Sequence, residues 1–353
     1  LTPRSLRASK CVRFAMTPFI LKDSLWTRPV LCLLAASQLL SVPVQAAELS
    51  IADGVVVKFG PDAQLVVRDR LVSGEGVTLT SQKDDTVGGQ TGNTVGTPSV
   101  GDWRGLRIEK SAAGMGNLAL NDLTLRYAGS ADADGATAAL TLRGISPELN
   151  YVQFSRNAVG LRLLDGASPA VKGSSFLYNA TGIAASGGSV PTITQTQFSG
   201  SSVFAVSNET PASVIQATQN WWGHVSGPKQ SVANPQGQGD AVSEGVNFGS
   251  FLTGAPLLNP AVRLAAPAPY FEQRTLVLDL ACVNASEYRI AEGDAFAGVS
   301  FQPLTDGRGR VSFTTSEGDG RKAISVQYRN SSGTVVLARL ANGALVDTAP
   351  PLV

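Results

Sequence analysis

The chain has 353 residues, 43% hydrophobic and 16% charged: enough apolar material for a core, and too little charge for a solvated disordered tail. Its formal net charge of +1 joins two unlike pieces. Residues 1–46 hold six basic residues (Arg4, Arg7, Lys10, Arg13, Lys22, Arg28) against Asp23, and the remainder holds 22 basic against 26 acidic residues. No basic field remains to hold a phosphate backbone, so nucleic acid is excluded as an expected partner. One histidine, His224, and three cysteines exclude most zinc sites and leave a Ser-His-Asp apparatus only one candidate base.

Lys22 and Arg28 precede an apolar run, Val30 to Val42, that ends in Val44-Gln45-Ala46. A positive region, a short apolar region and a small-residue site describe a signal peptide cleaved after Ala46, with Met16 offering a start. The run is about 13 residues and contains Ser37, Gln38 and Ser41, whereas a spanning helix needs about 20. No transmembrane segment is therefore expected in the mature chain. The expected location is secreted or cell-surface, with the periplasm as the other exported compartment. Cleavage removes Cys11 and Cys32 and leaves Cys282 alone, so packing and backbone hydrogen bonds must hold the fold.

Internal repetition decides the fold class. Pro147, Pro169 and Pro191 stand 22 apart, as do Phe154, Phe176 and Phe198, and Gly144, Gly166 and Gly188. Ser146 and Ser168, Asn157 and Asn179, Gly160 and Gly182, and Leu161 and Ile183 keep the same spacing. A fourth unit ends with Pro211 and Trp221. Each unit has short alternating apolar segments between Gly, Ser, Asn and Pro, and no amphipathic helical pattern follows the leader. About 22 residues per turn, with three short strands and three turns, describes one coil of a parallel β-helix stacked at about 4.8 Å. The three phenylalanines should form one interior column, Leu161 and Ile183 another, and Asn157 with Asn179 a turn ladder.

Upstream, Asp53-Gly54-Val55 lies 22 residues before Glu75-Gly76-Val77. Tyr127 lies 27 before Phe154, which reads as one coil plus a five-residue loop near Ser130–Gly135. Gln82 to Asp102, rich in Asp, Gly, Thr and Asn, reads as a long exposed loop. From 48 to about 223 this gives roughly seven to eight coils, a rod of about 35–40 Å.

The segments Val56 to Val67 (V-V-K-F-G-P-D-A-Q-L-V-V), Thr80 to Gly89 and Gly101 to Leu106 (G-D-W-R-G-L) resemble bacterial exported right-handed parallel β-helix surface proteins, of the pectate-lyase-like fold. The resemblance covers about 48–255 and implies that Asn220 to Pro228 (N-W-W-G-H-V-S-G-P) closes the solenoid. Residues 257–347 look like an immunoglobulin-like module of the same kind of protein, on Leu276 to Ile290 and Phe313 to Gly333. Independently, alternation in Leu276–Leu280 and Ile324–Tyr328 predicts half-buried strands, and about 90 residues suit a β-sandwich. The expected organisation is 1–46 signal peptide and extension, 47–255 β-helix, 256–269 Pro-rich linker, 270–347 β-sandwich and 348–353 tail. Asp347 to Pro351 (D-T-A-P-P) resembles the hinge into a further module, so the chain reads as part or a shortened relative of a longer protein.

Stacking makes a catalytic pair testable by spacing, since groups 22 apart should lie about 5 Å apart, the separation a retaining carboxylate pair needs. Asp165 falls on Arg143, Glu148 on Ala170, and Glu209 on Gly187, which gives no acid pair in the regular coils. Asp53 falls on Glu75 and Asp62 on Asp84, all in turn-like wording where turn formation is the expected duty. The sharper alternative is a structural calcium shared by Asp62, Asp84 and Asp85; no other cofactor is expected. Asp132-Ala133-Asp134-Gly135 opens like a calcium loop but lacks its remaining ligands. Trp103, Arg104 and Arg107 form a candidate sugar-binding patch, against core packing for Trp103. Trp221, Trp222 and His224 suit covering the last coil, and Cys282 suits a small buried apolar site.

These residues lead to an expected non-enzymatic, adhesin-like binding or structural rod for a polysaccharide or a host or cell-surface protein. The alternative is a polysaccharide lyase or glycoside hydrolase on the same fold, with no catalytic residue assignable from spacing. Scarce His and Met argue against soft-metal handling.

Overall fold

The computed structural model describes residues 30–33, 41–44, 49–68, 71–90, 96–109, 119–132 and 135–349. The leader's charged region, Cys11, the cleavage site after Ala46, Asp134 and the last four residues lie outside these. The described residues form β-strands and one short 3-10 turn, Thr305–Gly307, in two units, Leu1–Gly254 and Ala255–Val353.

The first unit is built of stacked parallel sheets, an arrangement consistent with a β-solenoid. A first sheet of seven strands includes Val56–Phe59, Val77–Ser81, Leu123–Arg126, Gln153–Ser155, Ser175–Leu177 and Gln197–Ser199, in that order. A second, also of seven, includes Gln64–Val67, Gly105–Glu109, Ala138–Arg143, Val159–Leu164, Thr181–Ala185 and Phe204–Asn208. A third, of six, runs from Ala119–Asn121 through Glu148–Asn150, Ala170–Lys172, Thr192–Thr194 and Ile215–Gln216 to Val246–Asn247. The chain visits the sheets in rotation, so each strand pairs with its counterpart one circuit later.

Register places like on like. Phe154 pairs with Phe176 and Phe176 with Phe198, and their rings stack at 4.7 and 5.0 Å. Trp222 continues the column at 4.9 Å from Phe198 and is fully buried. Leu161 pairs with Ile183 on the second sheet. Gly160 and Gly182 lie beneath these rings, and a Cβ on Gly160 would sit 2.7 Å from the Gly182 carbonyl oxygen and 2.9 Å from Phe176. That lack of room is the physical reason for the repeated glycine.

At the corner after the first sheet the chain bends and its backbone groups need side-chain partners. Asn157 and Asn179, both buried, supply them. Asn179 Oδ1 accepts from the Asn157 backbone N–H at 3.0 Å and from Asn157 Nδ2 at 2.9 Å, while Asn179 Nδ2 donates to the Phe154 carbonyl. Asn157 repeats the pattern one circuit up, accepting from Ala128 N–H and donating to Leu125 O. At the corner before the first sheet, Ser174, Thr196 and Asn220 form a second ladder.

Several expectations shift. Leu125, not Tyr127, pairs with Phe154, because the loop before Ala138 takes more residues than the spacing allowed for; Tyr127 stands at the corner with φ 60°. Strands Val30–Leu33 and Ser41–Val44 fall inside the segment read as leader and pair in parallel with Val56–Phe59 and Gln64–Val67. The segment read as a linker contains strand Leu258–Leu264, whose Leu258 and Val262 are buried. Pro260 is tolerated there because the strand is an edge and its register breaks between Leu258 and Ala261.

The second unit has two main antiparallel sheets that share one core. One orders Leu258–Leu264, Thr275–Val283 and Arg308–Thr314; the other orders Gln302–Pro303, Glu287–Glu292, Ile324–Arg329 and Val335–Arg339. Leu276, Leu278, Leu280 and Cys282 alternate inward from the first, and Ile324, Val326 and Tyr328 face them. Burial pushes the Cys282 thiol up to about 12, leaving a packed and unreactive sulfur. The Tyr328 hydroxyl donates to Ala261 O and accepts from Ala281 N–H.

The column and the ladder make distinct demands on stability. Phe176→Ala should cost about 3–5 kcal/mol, since it empties the middle of the stack. Asn179→Ala should cost about 1–3 kcal/mol, because it orphans buried backbone groups. Urea unfolding of the full chain, followed by tryptophan fluorescence at Trp222, checks both and their order.

Candidate functional site

Side chains on a strand alternate between faces, so the inward Phe column fixes what the first sheet presents outward. Outward columns run through Lys58, Thr80, Arg126, Ser155, Leu177 and Ser199, and through Thr78, Thr124, Gln153, Ser175 and Gln197. A bridge between Gln197 and Trp221 adds Trp221 to the second column, while its neighbour Trp222 points inward. The doublet therefore serves both faces. His224 Nδ1 meets the Ser226 hydroxyl at 2.8 Å and belongs to the following turn.

The two ends of this face differ. Beside the first strands lies the loop 82–102, exposed at most of its described residues as expected, and anchored by charge at a few of them. Asp84 is fully buried; it accepts from Thr80 Oγ1 at 2.7 Å and pairs with Arg126 at 3.2 Å. Lys58 is also fully buried, donates to the Gly89 carbonyl and lies 3.8 Å from Asp85. Asp102 pairs with Lys83 at 2.8 Å and accepts from Ser81 and Ser99. Burial raises the Asp102 carboxyl, but Lys83, Ser81 and Ser99 outweigh it and hold it below the ordinary value. From Thr124 onward Gln153, Ser155, Leu177 and Ser199 are part-exposed, while Ser175 and Gln197 are buried.

The three acids considered for calcium are not gathered. Asp62 stands in a left-handed turn 3.5 Å from Arg104, Asp84 faces Arg126, and Asp85 faces Lys58. The spacing argument fails because after Ser81 the chain leaves into the long loop instead of turning onto the second sheet. No group of three or more His, Cys, Asp or Glu could hold a metal among the described residues. Asp53 does form a turn, accepting from Glu75 N–H at 2.8 Å.

Trp103 is fully buried, stacked on Phe59 at 4.2 Å with its indole N–H on Arg126 O, so its ring is committed to the core rather than offered to a ligand. Arg104 and Arg107 flank it on the second sheet's side. Arg107 pairs with Asp132 at 3.2 Å and with Glu109.

The second sheet's outer face is ionic. Arg143 pairs with Asp165 at 2.8 Å as its spacing implied. Arg162 makes two bonds to Glu209, 2.5 and 3.0 Å, a pair that spacing missed because it spans two circuits. A cavity of about 250 Å³ is lined there by Gly135, Ala136, Thr137, Arg143, Arg162 and Leu164. Both arginines already hold carboxylates.

No family model matches the chain, and no curated protein matches it. The class the fold defines is an all-β chain with stacked parallel sheets consistent with a β-solenoid and with no helix long and apolar enough to cross a membrane among the described residues.

The Asp102 anchor gives the loop a pH dependence. The folded chain holds this proton less tightly than the unfolded chain, so the anchor's contribution is complete above the ordinary carboxylate range and is lost as the pH falls through the depressed value. Pepsin cleavage within 82–102 should accordingly appear on acidification before the core unfolds. Asp102→Asn should make the same loop susceptible to a neutral protease at neutral pH.

Proposed function

We propose that the chain is an exported, non-enzymatic, adhesin-like protein whose right-handed β-helix, about 22 residues per coil, presents a lateral face to a glycan or protein ligand. The immunoglobulin-like module that follows it in the chain acts as spacer or attachment. The observation that carries this reading is the outer face of the first sheet from Thr124 to Trp221, where Thr124, Gln153, Ser155, Leu177, Ser199 and Trp221 are part-exposed and Ser175 and Gln197 are buried, an extended surface of the kind a solenoid offers. Against catalysis stands the pairing of the lateral acids: Asp62, Asp84, Asp102, Asp132, Asp165 and Glu209 each meet an arginine or lysine.

One observation favours the alternative of a polysaccharide lyase or glycoside hydrolase. Lys58 and Arg126 stand in one outward column of the first sheet and each meets a loop carboxylate, Asp85 and Asp84, the kind of cluster that such chemistry uses on adjacent coils. Its burial beneath 82–102 makes it an anchor in this reading.

The test exposes the full chain to neutral and acidic polysaccharides and records both retention and release of reducing or unsaturated ends. Retention without product is expected. Product from any member of the panel would replace the binding rod with the enzyme, and would be abolished by Lys58→Met.

A further inference from the structure

The two main sheets of the second unit have four edges, and three of them are blunted or covered. Leu258–Leu264 carries Pro260 and a broken register, Gln302–Pro303 is short and ends in proline, and Val335–Arg339 lies against Leu258–Leu264. Such features keep an edge from pairing with another chain. Arg308–Thr314 has none of them. Its register with Thr275–Val283 is unbroken over 7 residues, it holds no proline, and no other strand pairs with it among the described residues. We propose that this edge, whatever the first unit binds, pairs antiparallel with the same strand of a second copy of the chain, centred on Ser312.

The direction of the backbone fixes what the edge offers. The Thr315 N–H donates to the Arg274 carbonyl at 3.0 Å, so the odd-numbered residues here turn their backbone groups toward the neighbouring strand. Arg308, Arg310, Ser312 and Thr314 therefore face the free side. The Arg308 N–H is already taken by the Thr305 carbonyl in the 3-10 turn. Arg310, Ser312 and Thr314 remain, each exposed, with an N–H and a C=O that no backbone group meets among the described residues.

Charge and the turn select one register. Centring the two-fold axis on Arg310 opposes that residue to itself, and centring it on Gly309 opposes Arg308 to Arg310; like charges directly opposite are destabilising. Centring on Val311 sets Thr314 of the copy against Arg308, where the turn Thr305–Gly307 already stands. Centring on Ser312 avoids both. Arg310 then stands opposite Thr314 of the copy and Ser312 opposite Ser312, and each such pair exchanges two backbone hydrogen bonds.

The side chains agree with this register. On the inner face Val311 meets Phe313 of the copy on both sides of the axis, a β-branched and aromatic pairing that stabilises sheets. Both residues pack half-buried against the second unit's core, and the copy covers what they leave exposed. Arg310 does not guard the edge, because two hydrogen bonds to Asp279, at 2.7 and 3.0 Å, draw its guanidinium back over the neighbouring strand.

Paired edges this short make a small interface, so a reversible dimer with a dissociation constant of about 10–100 µM is expected. Sedimentation equilibrium of the full chain, at concentrations spanning that range, tests it. Monomer at every concentration overturns the proposal. Ser312→Pro removes the central N–H, which faces away from Thr275–Val283, and should leave a monomer with an unchanged thermal midpoint. Thr314→Glu sets a carboxylate opposite Arg310 of the copy on both sides of the axis and should tighten the dimer about tenfold at low salt. Thr314→Lys should loosen it by a similar factor, and it tests the register even where the proline variant does not fold. A dimer indifferent to all three substitutions is held by another surface and overturns the assignment.

Discussion

Parallel pairing of each strand with its counterpart one circuit later is the constraint on which the rest of the first unit depends. It forces every side chain onto its equivalent, so the sequence must offer groups that tolerate stacking on themselves. Phenylalanine does so through its ring face, and asparagine does so by giving and accepting a hydrogen bond along the same line. Where the chain leaves the pattern, Trp222 extends the phenylalanine column with a larger ring, and Asn220 extends the hydroxyl ladder of Ser174 and Thr196 with an amide.

The outward columns inherit this order without sharing its need for apolarity. On the second sheet they are filled by arginine and carboxylate pairs that neutralise one another across coils. On the first sheet they change character along the unit. Charge concentrates where loop 82–102 crosses, and there it fastens the loop through Lys58, Asp84 and Asp102. Beyond Arg126 the same columns turn neutral, with Ser175 and Gln197 buried and Gln153, Ser155, Leu177 and Ser199 part-exposed, and the corners beside them carry exposed Tyr151 and Tyr178. One sheet thus carries a charged segment that fastens a loop and a neutral segment, the latter being the face of the proposed binding role.

Much of the interior was legible in the sequence because repetition writes each column several times. Phe154, Phe176 and Phe198, the Asn157 and Asn179 pair, and the Arg143 and Asp165 step all follow from a single period. Features that occur once escaped it. Lys58 is buried only because a distant loop folds over it, and no spacing encodes that. Asp62 and Asp84 satisfied the period but sit on either side of the point where the chain departs into the loop, so the spacing was accidental. Pro260 similarly disguised an edge strand as a linker.

The most direct measurement of the central claim is hydrogen–deuterium exchange of the full chain with and without an excess of each neutral and acidic polysaccharide of the panel. Binding on the outer face of the first sheet predicts slowed exchange in peptides covering 151–156, 175–178, 197–200 and 221–223, with the second unit unchanged. Protection centred on 135–143 and 162–164, on the ionic face of the second sheet, would contradict it, as would no protection anywhere.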